Sequence, residues 1–189
     1  AIWLTLVVAA IMTIILGMGM PTVSSYILAA VLIGPLLIKL GLPEMAAHLF
    51  LLYYAVLSAI TPPVAVAAFA AASIADDNPM KISFKGVQFA VGAFLLPFFF
   101  VLDPALLGEG SVIEVTWAML RAVLAFLLIS VASAGCFNSP LGAFQRLLTF
   151  ALVVPLLTPI LAYQSLGFIA GIGILFWFWL SSRANVKVV

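Results

Sequence analysis

The sequence predicts an all-α integral membrane fold, with a re-entrant helical hairpin followed by about five transmembrane crossings. Composition is the first observation behind it. Of 189 residues, 67% are hydrophobic and 7% charged, and the mean hydropathy is +1.38, more apolar surface than a water-soluble domain of this length can hide. The second observation is that apolar stretches alternate with short polar punctuation along the whole chain. The third is a pair of helix-breaking motifs, in the first 75 residues, with no charged residue beside them. Helix is the assignment throughout, because an open sheet in lipid leaves main-chain groups unpaired at several kcal/mol each.

The first stretch runs from Ala1 to Leu16 and ends at Gly17-Met18-Gly19-Met20-Pro21. Residues 1–16 carry no basic n-region and no cleavage signal, so the chain reads as the C-terminal part of a longer protein. The second stretch, Thr22 to Ile38, ends at Lys39-Leu40-Gly41-Leu42-Pro43, a turn signal. The third, Glu44 to Ala75, is too long for one plain span and contains Thr61-Pro62-Pro63. Asp76 to Lys81 is the most polar run. Further apolar segments cover 86–102, 113–134, 143–163 and 166–181. The chain therefore divides into 1–107, with hairpin 1–38, broken helix 44–75 and helix 86–102, and 113–189, with three additional C-terminal transmembrane helices.

Basic residues set the orientation, since Lys and Arg gather on the cytoplasmic side. Lys81 and Lys85, Arg146, and Arg183 with Lys187 mark cytoplasmic connections, and the acidic Asp103 to Ser111 loop is external. Lys39, in a turn placed outside, runs against the pattern. Trp117, Trp177 and Trp179 stand where interfacial anchors are expected. Arg121, about one turn beyond Trp117, is expected to snorkel to the headgroups.

Other chemistries find little support. A net charge of +1 gives neither a nucleic-acid footprint nor a field for acidic partners. Cys136, the single cysteine, excludes an internal disulfide framework and a cysteine metal cluster, and is expected to be a small apolar filler. His48 is the only histidine. Glu44 follows Pro43 at a helix start, where a carboxylate complements the dipole, and Asp76 and Asp77 adjoin a solvated turn. No nucleophile with a base, buried carboxylate pair or phosphate loop is present, so no enzyme is predicted.

The two breaks carry the informative chemistry. At Gly17 to Ser25 the glycines free the backbone, and Pro21 blocks a continuous helix. Pro21 suits the first position of the second hairpin arm, whose free amides, with the hydroxyls of Thr22, Ser24 and Ser25, would face an anion. At the second break Thr61 precedes a proline and leaves helical geometry. Pro62 and Pro63 cannot donate to the carbonyls of Ser58 and Ala59. Those carbonyls, the Ser58 hydroxyl and Thr61 offer partners to a sodium ion, and Pro63 can start the next half-helix. Interrupted helices pointing into a midplane site are the recurring device of secondary transporters. No charged side chain lies in the apolar depth of residues 1–75, so helix ends, sodium or the missing half must neutralise the anion.

The run GMGMPTVSSYILAAVLIGPLLIKLGLPEMAAHLFLLYYAVLSAITPPVAVAAFAAASIA, residues 17–75, resembles the C-terminal half of the large membrane subunit of tripartite ATP-independent periplasmic (TRAP) transporters. With Pro79-Met80 and Asp103-Pro104-Ala105-Leu106-Leu107, it is more narrowly similar to the fused permeases of the TAXI branch. The likeness is good to about residue 107, and beyond it only resembles the extra C-terminal helices of those permeases. It implies the second half of an inverted-repeat, elevator-type transporter in a bacterial or archaeal cytoplasmic (inner) membrane. A TAXI-type periplasmic binding protein would deliver a small organic anion such as glutamate or a C4 or C5 dicarboxylate, and sodium would drive uptake with no other cofactor. The N-terminal remainder of the fused permease would complete the site. Carried onto this chain, substrate is expected at Gly17, Gly19, Pro21, Thr22, Ser24, Ser25, Thr61, Pro62 and Pro63. Sodium is expected at Gly17, Ser58, Ala59 and Thr61. One departure is Ala65, where many dicarboxylate-branch relatives have glycine after TPPV. The residues leave two alternatives: a related anion/sodium symporter that needs no binding protein, and a truncated membrane fragment without transport.

Overall fold

The computed structural model describes residues 2–158 and 160–186, the last five as backbone only; Lys187 and the Arg183 side chain of the basic tail lie outside this description. The described chain is built from helices joined by short turns, and it divides into two units, Ala1–Leu107 and Gly108–Val189.

In the first unit α1 (Ile2–Gly17) stops where the glycine run begins, and Gly19 takes the left-handed conformation (φ 78°) that a side chain resists. Pro21 is extended (φ −58°, ψ 140°) and caps α2 (Thr22–Leu32) from outside. The expectation that Pro21 occupies the first helical position is thus corrected by one residue. The second arm is itself interrupted at Ile33, because Pro35 starts α3 (Gly34–Lys39) afresh. After the turn at Gly41, α4 (Glu44–Leu57) opens with Glu44 in its first turn and runs into a 3-10 turn, Ser58–Ile60. Then follow α5 (Val66–Ala75), α6 (Pro79–Phe89), α7 (Val91–Leu102) and a 3-10 turn, Pro104–Leu107.

Alanines let the backbones of α1, α2 and α4 approach closely: Ala9, Ala10, Ala29, Ala46 and Ala47 are all buried. Phe50 of α4 fills the centre, edge-on to Tyr54 (4.9 Å) and to Phe98 of α7 (5.4 Å). The Tyr54 hydroxyl donates to the Phe94 carbonyl at 2.6 Å and ties α4 to α7. Between the arms, Tyr26 of α2 shares a 3.0 Å hydrogen bond with Nδ1 of His48 on α4. The lone histidine therefore has a partner 22 residues away, which spacing does not reveal.

The polar run between α5 and α6 forms an N-cap. Asn78 accepts from the amides of Met80 (2.9 Å) and Lys81 (3.3 Å), and Pro79 takes a position where no amide is needed. Asp77 accepts from the Asn78 amide (2.7 Å) and pairs with Lys81 (3.2 Å). Those bonds, the amide first, hold its carboxyl below the usual carboxylate range. The cap is therefore expected to be at full strength above the ordinary carboxylate pKa and to weaken as pH falls through the lowered one. Local amide exchange at the start of α6 measures this, and Asp77→Asn should remove the pH dependence. The helix predicted over 86–102 begins earlier, at Pro79, and α6 meets α7 at a 43° bend.

In the second unit α8 (Val112–Ala134) starts at a capping box in which Glu114 accepts from the Ser111 amide (2.7 Å). It ends at Gly135 (φ 68°), where Arg146 donates to the carbonyls of Ala132 (2.8 Å) and Ser133 (3.2 Å). A Cβ on Gly135 would add left-handed strain and stand 3.1 Å from the Arg146 guanidinium. Gly135→Ala is accordingly expected to cost about 1–2 kcal/mol, read as a lower thermal midpoint in detergent. Cys136 lies in a two-residue antiparallel ladder, 136–137 against 139–140, and is exposed rather than a core filler.

The stretch read as a span over 143–163 is divided into α9 (Ala143–Ala151) and α10 (Val153–Leu156), and α11 (Leu161–Val186) starts five residues earlier than the segment predicted at 166. Arg121 corrects another expectation. It does not snorkel: only 8% exposed, it donates to the Leu156 carbonyl at 2.9 Å and stacks over Trp117, 6.0 Å from the ring centre.

Among the described residues two helices are long and apolar enough to cross a membrane, Val112–Ala134 and Leu161–Ser181, with α6 and α7 a third if the bent pair is one span. The other apolar helices, including those at both predicted breaks, are shorter than a span.

Candidate substrate and ion site

The two breaks meet in space. Gly17, the last residue of α1, lies against Ser25 of α2 and Ser58 at the end of α4. A Cβ built on Gly17 would stand 2.6 Å from the Ser25 hydroxyl oxygen, 2.8 Å from the Ser58 Cβ, and against the Ser58 hydroxyl oxygen. Only a glycine admits this approach. Two residues on, a Cβ on Gly19 would touch Val64 at 3.5 Å, so the hairpin tip also faces the far side of the proline break.

Ser25 and Ser58 are both buried, 0% and 2% exposed. The Ser58 hydroxyl donates to the Ala55 carbonyl (2.7 Å), which leaves its lone pairs directed away from its own helix. The Ser25 hydroxyl has no hydrogen-bond partner among the described residues. A fully buried oxygen without a partner is costly. A cation held among neutral oxygens suits this arrangement, since hydroxyls and carbonyls are hard ligands.

The second break leaves the helix as a pre-proline residue must. Thr61 is extended (φ −85°, ψ 126°), and its hydroxyl donates back to the Leu57 carbonyl (2.8 Å). The expectation of two free carbonyls needs correction. The Ser58 carbonyl accepts from the Thr61 amide at 3.2 Å. Ala59 keeps the predicted character, because Pro62 and Pro63 occupy both positions from which a helical amide would reach its carbonyl. The peptide bond between Pro62 and Pro63 is cis. Pro63 does not start the next half-helix; α5 begins at Val66, after Ala65 in the left-handed region (φ 35°, ψ 55°). The departure noted at Ala65 thus falls where the backbone favours glycine.

The hairpin's second arm presents a free helix start. The first helical bond runs from the Ser25 amide to the Pro21 carbonyl (3.0 Å), and no side chain caps α2. The amides of Thr22, Val23 and Ser24 therefore precede the hydrogen-bonded turns, where the partial positive charge of the helix collects.

The predicted residues separate into groups. Gly17, Ser25 and Ser58 come together, with Ala59 and Thr61 on the same turn as Ser58. Gly19 sits at the tip beside Val64. Pro21 and Ser24 are exposed and Thr22 half-buried, so Ser24 turns away from its neighbour Ser25. Pro62 is half-buried and Pro63 exposed. The sequence marks Ala65 as a departure but does not foresee its left-handed backbone, for which a Thr-Pro-Pro-Val run followed by a small residue is a usable signal.

The sequence model of the family DctM, described as "Tripartite ATP-independent periplasmic transporter, DctM component", matches residues 1–115. No curated protein and no solved structure matches the chain. The matched residues include both breaks and the whole first unit. It is a family of transporters, not of enzymes, and its apolar helices belong in a membrane. On this match the chain belongs to the DctM component family of tripartite ATP-independent periplasmic transporters.

Proposed function

We propose that the chain supplies the second half of a sodium-coupled permease that imports small organic acid anions, dicarboxylates or glutamate-like, with substrate delivered by a periplasmic binding protein of the TAXI type. The permease is multi-pass in a bacterial or archaeal inner membrane and works as an elevator: α1 and α2 form a re-entrant hairpin, and α4 and α5 are the halves of a broken helix. The N-terminal remainder of the fused permease, with its own hairpin and broken helix, closes the site from the other side.

The observation that supports this reading is the convergence of Gly17, Ser25 and Ser58, which brings an unpartnered buried hydroxyl to the turn that carries Ala59, whose carbonyl Pro62 and Pro63 leave without a helical donor. Sodium at Gly17, Ser25, Ser58, Ala59 and Thr61 satisfies those oxygens. Its charge, added to the bare start of α2 at Thr22, Val23 and Ser24, neutralises a carboxylate where no cationic side chain stands. Ion and anion then depend on one another, because each screens the other in a low-dielectric site.

The test is Pro62→Ala/Pro63→Ala in the complete transporter. Each proline disfavours helix by ~3 kcal/mol relative to alanine, so the double replacement lets α4 and α5 join and gives the Ala59 carbonyl a helical donor. Uptake with the cognate binding protein is expected to lose its sodium dependence while the protein still inserts. Sodium dependence equal to that of the parent contradicts the proposed role of the break. Full uptake by the parent transporter without sodium contradicts the coupling.

A further inference from the structure

Ser24 and Ser25 stand side by side near the start of α2, yet only one of them enters the site. Ser25 is enclosed against Gly17, its hydroxyl without a partner among the described residues, while Ser24 is exposed. One residue is about 100° of helix, so the rotation of α2 upon α4 decides which hydroxyl meets Gly17 and Ser58. The buried stripe of α2 does little to fix that rotation. Its covered residues, Ser25 and Ala29, are both small, and short side chains give ridge-into-groove packing little to grip.

Tyr26 supplies the hold. It flanks Ser25 on the side opposite Ser24, half-buried at the rim of the stripe. Its hydroxyl shares a 3.0 Å hydrogen bond with Nδ1 of His48 on α4, the two rings meeting edge-on with centres 6.1 Å apart. The bond survives either charge state of the imidazole: a neutral Nδ1 accepts from the hydroxyl, and a protonated one donates to it. His48 precedes Ser58 by ten residues, about 15 Å along α4. The second arm of the hairpin is therefore attached to α4 at two levels, one at Ser58 and one at His48. A turn of α2 that brought Ser24 to Gly17 would carry Ser25 to the present place of Tyr26. The phenol would then swing about 100° away from His48.

We propose that the Tyr26–His48 hydrogen bond sets the rotation of α2 that directs Ser25 at Gly17 and Ser58, which makes Tyr26 and His48 positioning residues for the ion site. Its consequence for transport rests on the sodium reading above; the rotation itself does not. With the bond gone, α2 turns more freely, the Ser25 oxygen spends less time at the site, and the cation is held more weakly.

Crosslinking in the full-length protein reads the rotation directly. In a Cys136→Ala background, Ser25→Cys/Ser58→Cys is expected to form a disulfide at least about 10-fold faster than Ser24→Cys/Ser58→Cys, because two thiols join only where their carbons face each other closely. Tyr26→Phe keeps the ring, removes one oxygen, and should lower that ratio by about 3-fold or more, as expected for the loss of one part-buried hydrogen bond. His48→Leu should do the same. His48→Asn, whose side-chain amide falls near the place of Nδ1, should restore the ratio. If Tyr26→Phe fails to insert, His48→Leu is read in its place. With both serines intact, Tyr26→Phe should raise the sodium concentration for half-maximal uptake by about 3- to 10-fold at an unchanged maximal rate. Equal rates for the two cysteine pairs, or a parental ratio in Tyr26→Phe and His48→Leu, overturn the proposal. An altered ratio beside a parental sodium half-saturation overturns the positioning role. A parent that transports without sodium contradicts the coupling instead, and the crosslinking alone then decides the rotation.

Discussion

Gly17→Ala is expected to cut uptake by about 10- to 100-fold in the complete transporter. The added carbon would stand 2.6 Å from the Ser25 hydroxyl oxygen and 2.8 Å from the Ser58 Cβ, well inside van der Waals contact. Both neighbours are fully enclosed, so neither has room to step back. Overpacking of this kind costs about 1–3 kcal/mol, and each 1.4 kcal/mol is tenfold in the population of the closed arrangement. Ser58→Gly removes two of the three colliding atoms. The pair Gly17→Ala/Ser58→Gly should therefore regain much of the thermal stability lost by the single variant, a non-additivity that a double-mutant cycle measures. It should not regain sodium-dependent uptake, because the Ser58 hydroxyl is gone. Parental uptake from Gly17→Ala alone contradicts the close approach of the two breaks.

Ala65→Val is the second large effect, expected to destabilise the protein by about 3 kcal/mol or more. Ala65 is fully buried, and its φ of 35° places it in the left-handed region. A non-glycine residue there costs of order 1–2 kcal/mol already, a β-branched one is a true outlier, and two extra carbons in a closed site add overpacking. Ala65→Gly moves the other way but little: strain is relieved while about 0.8 kcal/mol of buried methyl is lost. Thermal unfolding of the two variants in one detergent is the measurement. A valine variant as stable as the glycine one contradicts the backbone conformation.

Much of the fold is legible because glycine and proline act locally. Gly17, Gly19 and Pro21 end one helix and start another whatever surrounds them, and Thr61-Pro62-Pro63 does the same for the broken helix, so both interruptions stand where residue chemistry places them. What lies between helices is not local. Ser24 and Ser25 are equivalent in sequence, yet only Ser25 faces Gly17, since one residue rotates a side chain about 100° around its helix. A proline four residues on predicts a free Ser58 carbonyl, but a 3-10 turn lets the Thr61 amide reach it from three. The distance of Arg121 from Trp117 points to the headgroups. The end of α10 brings an acceptor to its own level, and burial follows. Pro155 and Pro159, four apart in an apolar run, are the signal for that interruption, easily passed over where the hydropathy never drops.

The most direct measurement of the central claim is a density map of the complete transporter at a resolution that shows ions, prepared with sodium and with a carboxylate substrate. The account predicts helices interrupted at Met18–Pro21 and at Thr61–Val64, a cation among the oxygens of Gly17, Ser25, Ser58 and Ala59, and an anion at the start of α2. Unbroken helices through Met20 and Pro62, with nothing lodged beside them, contradict it.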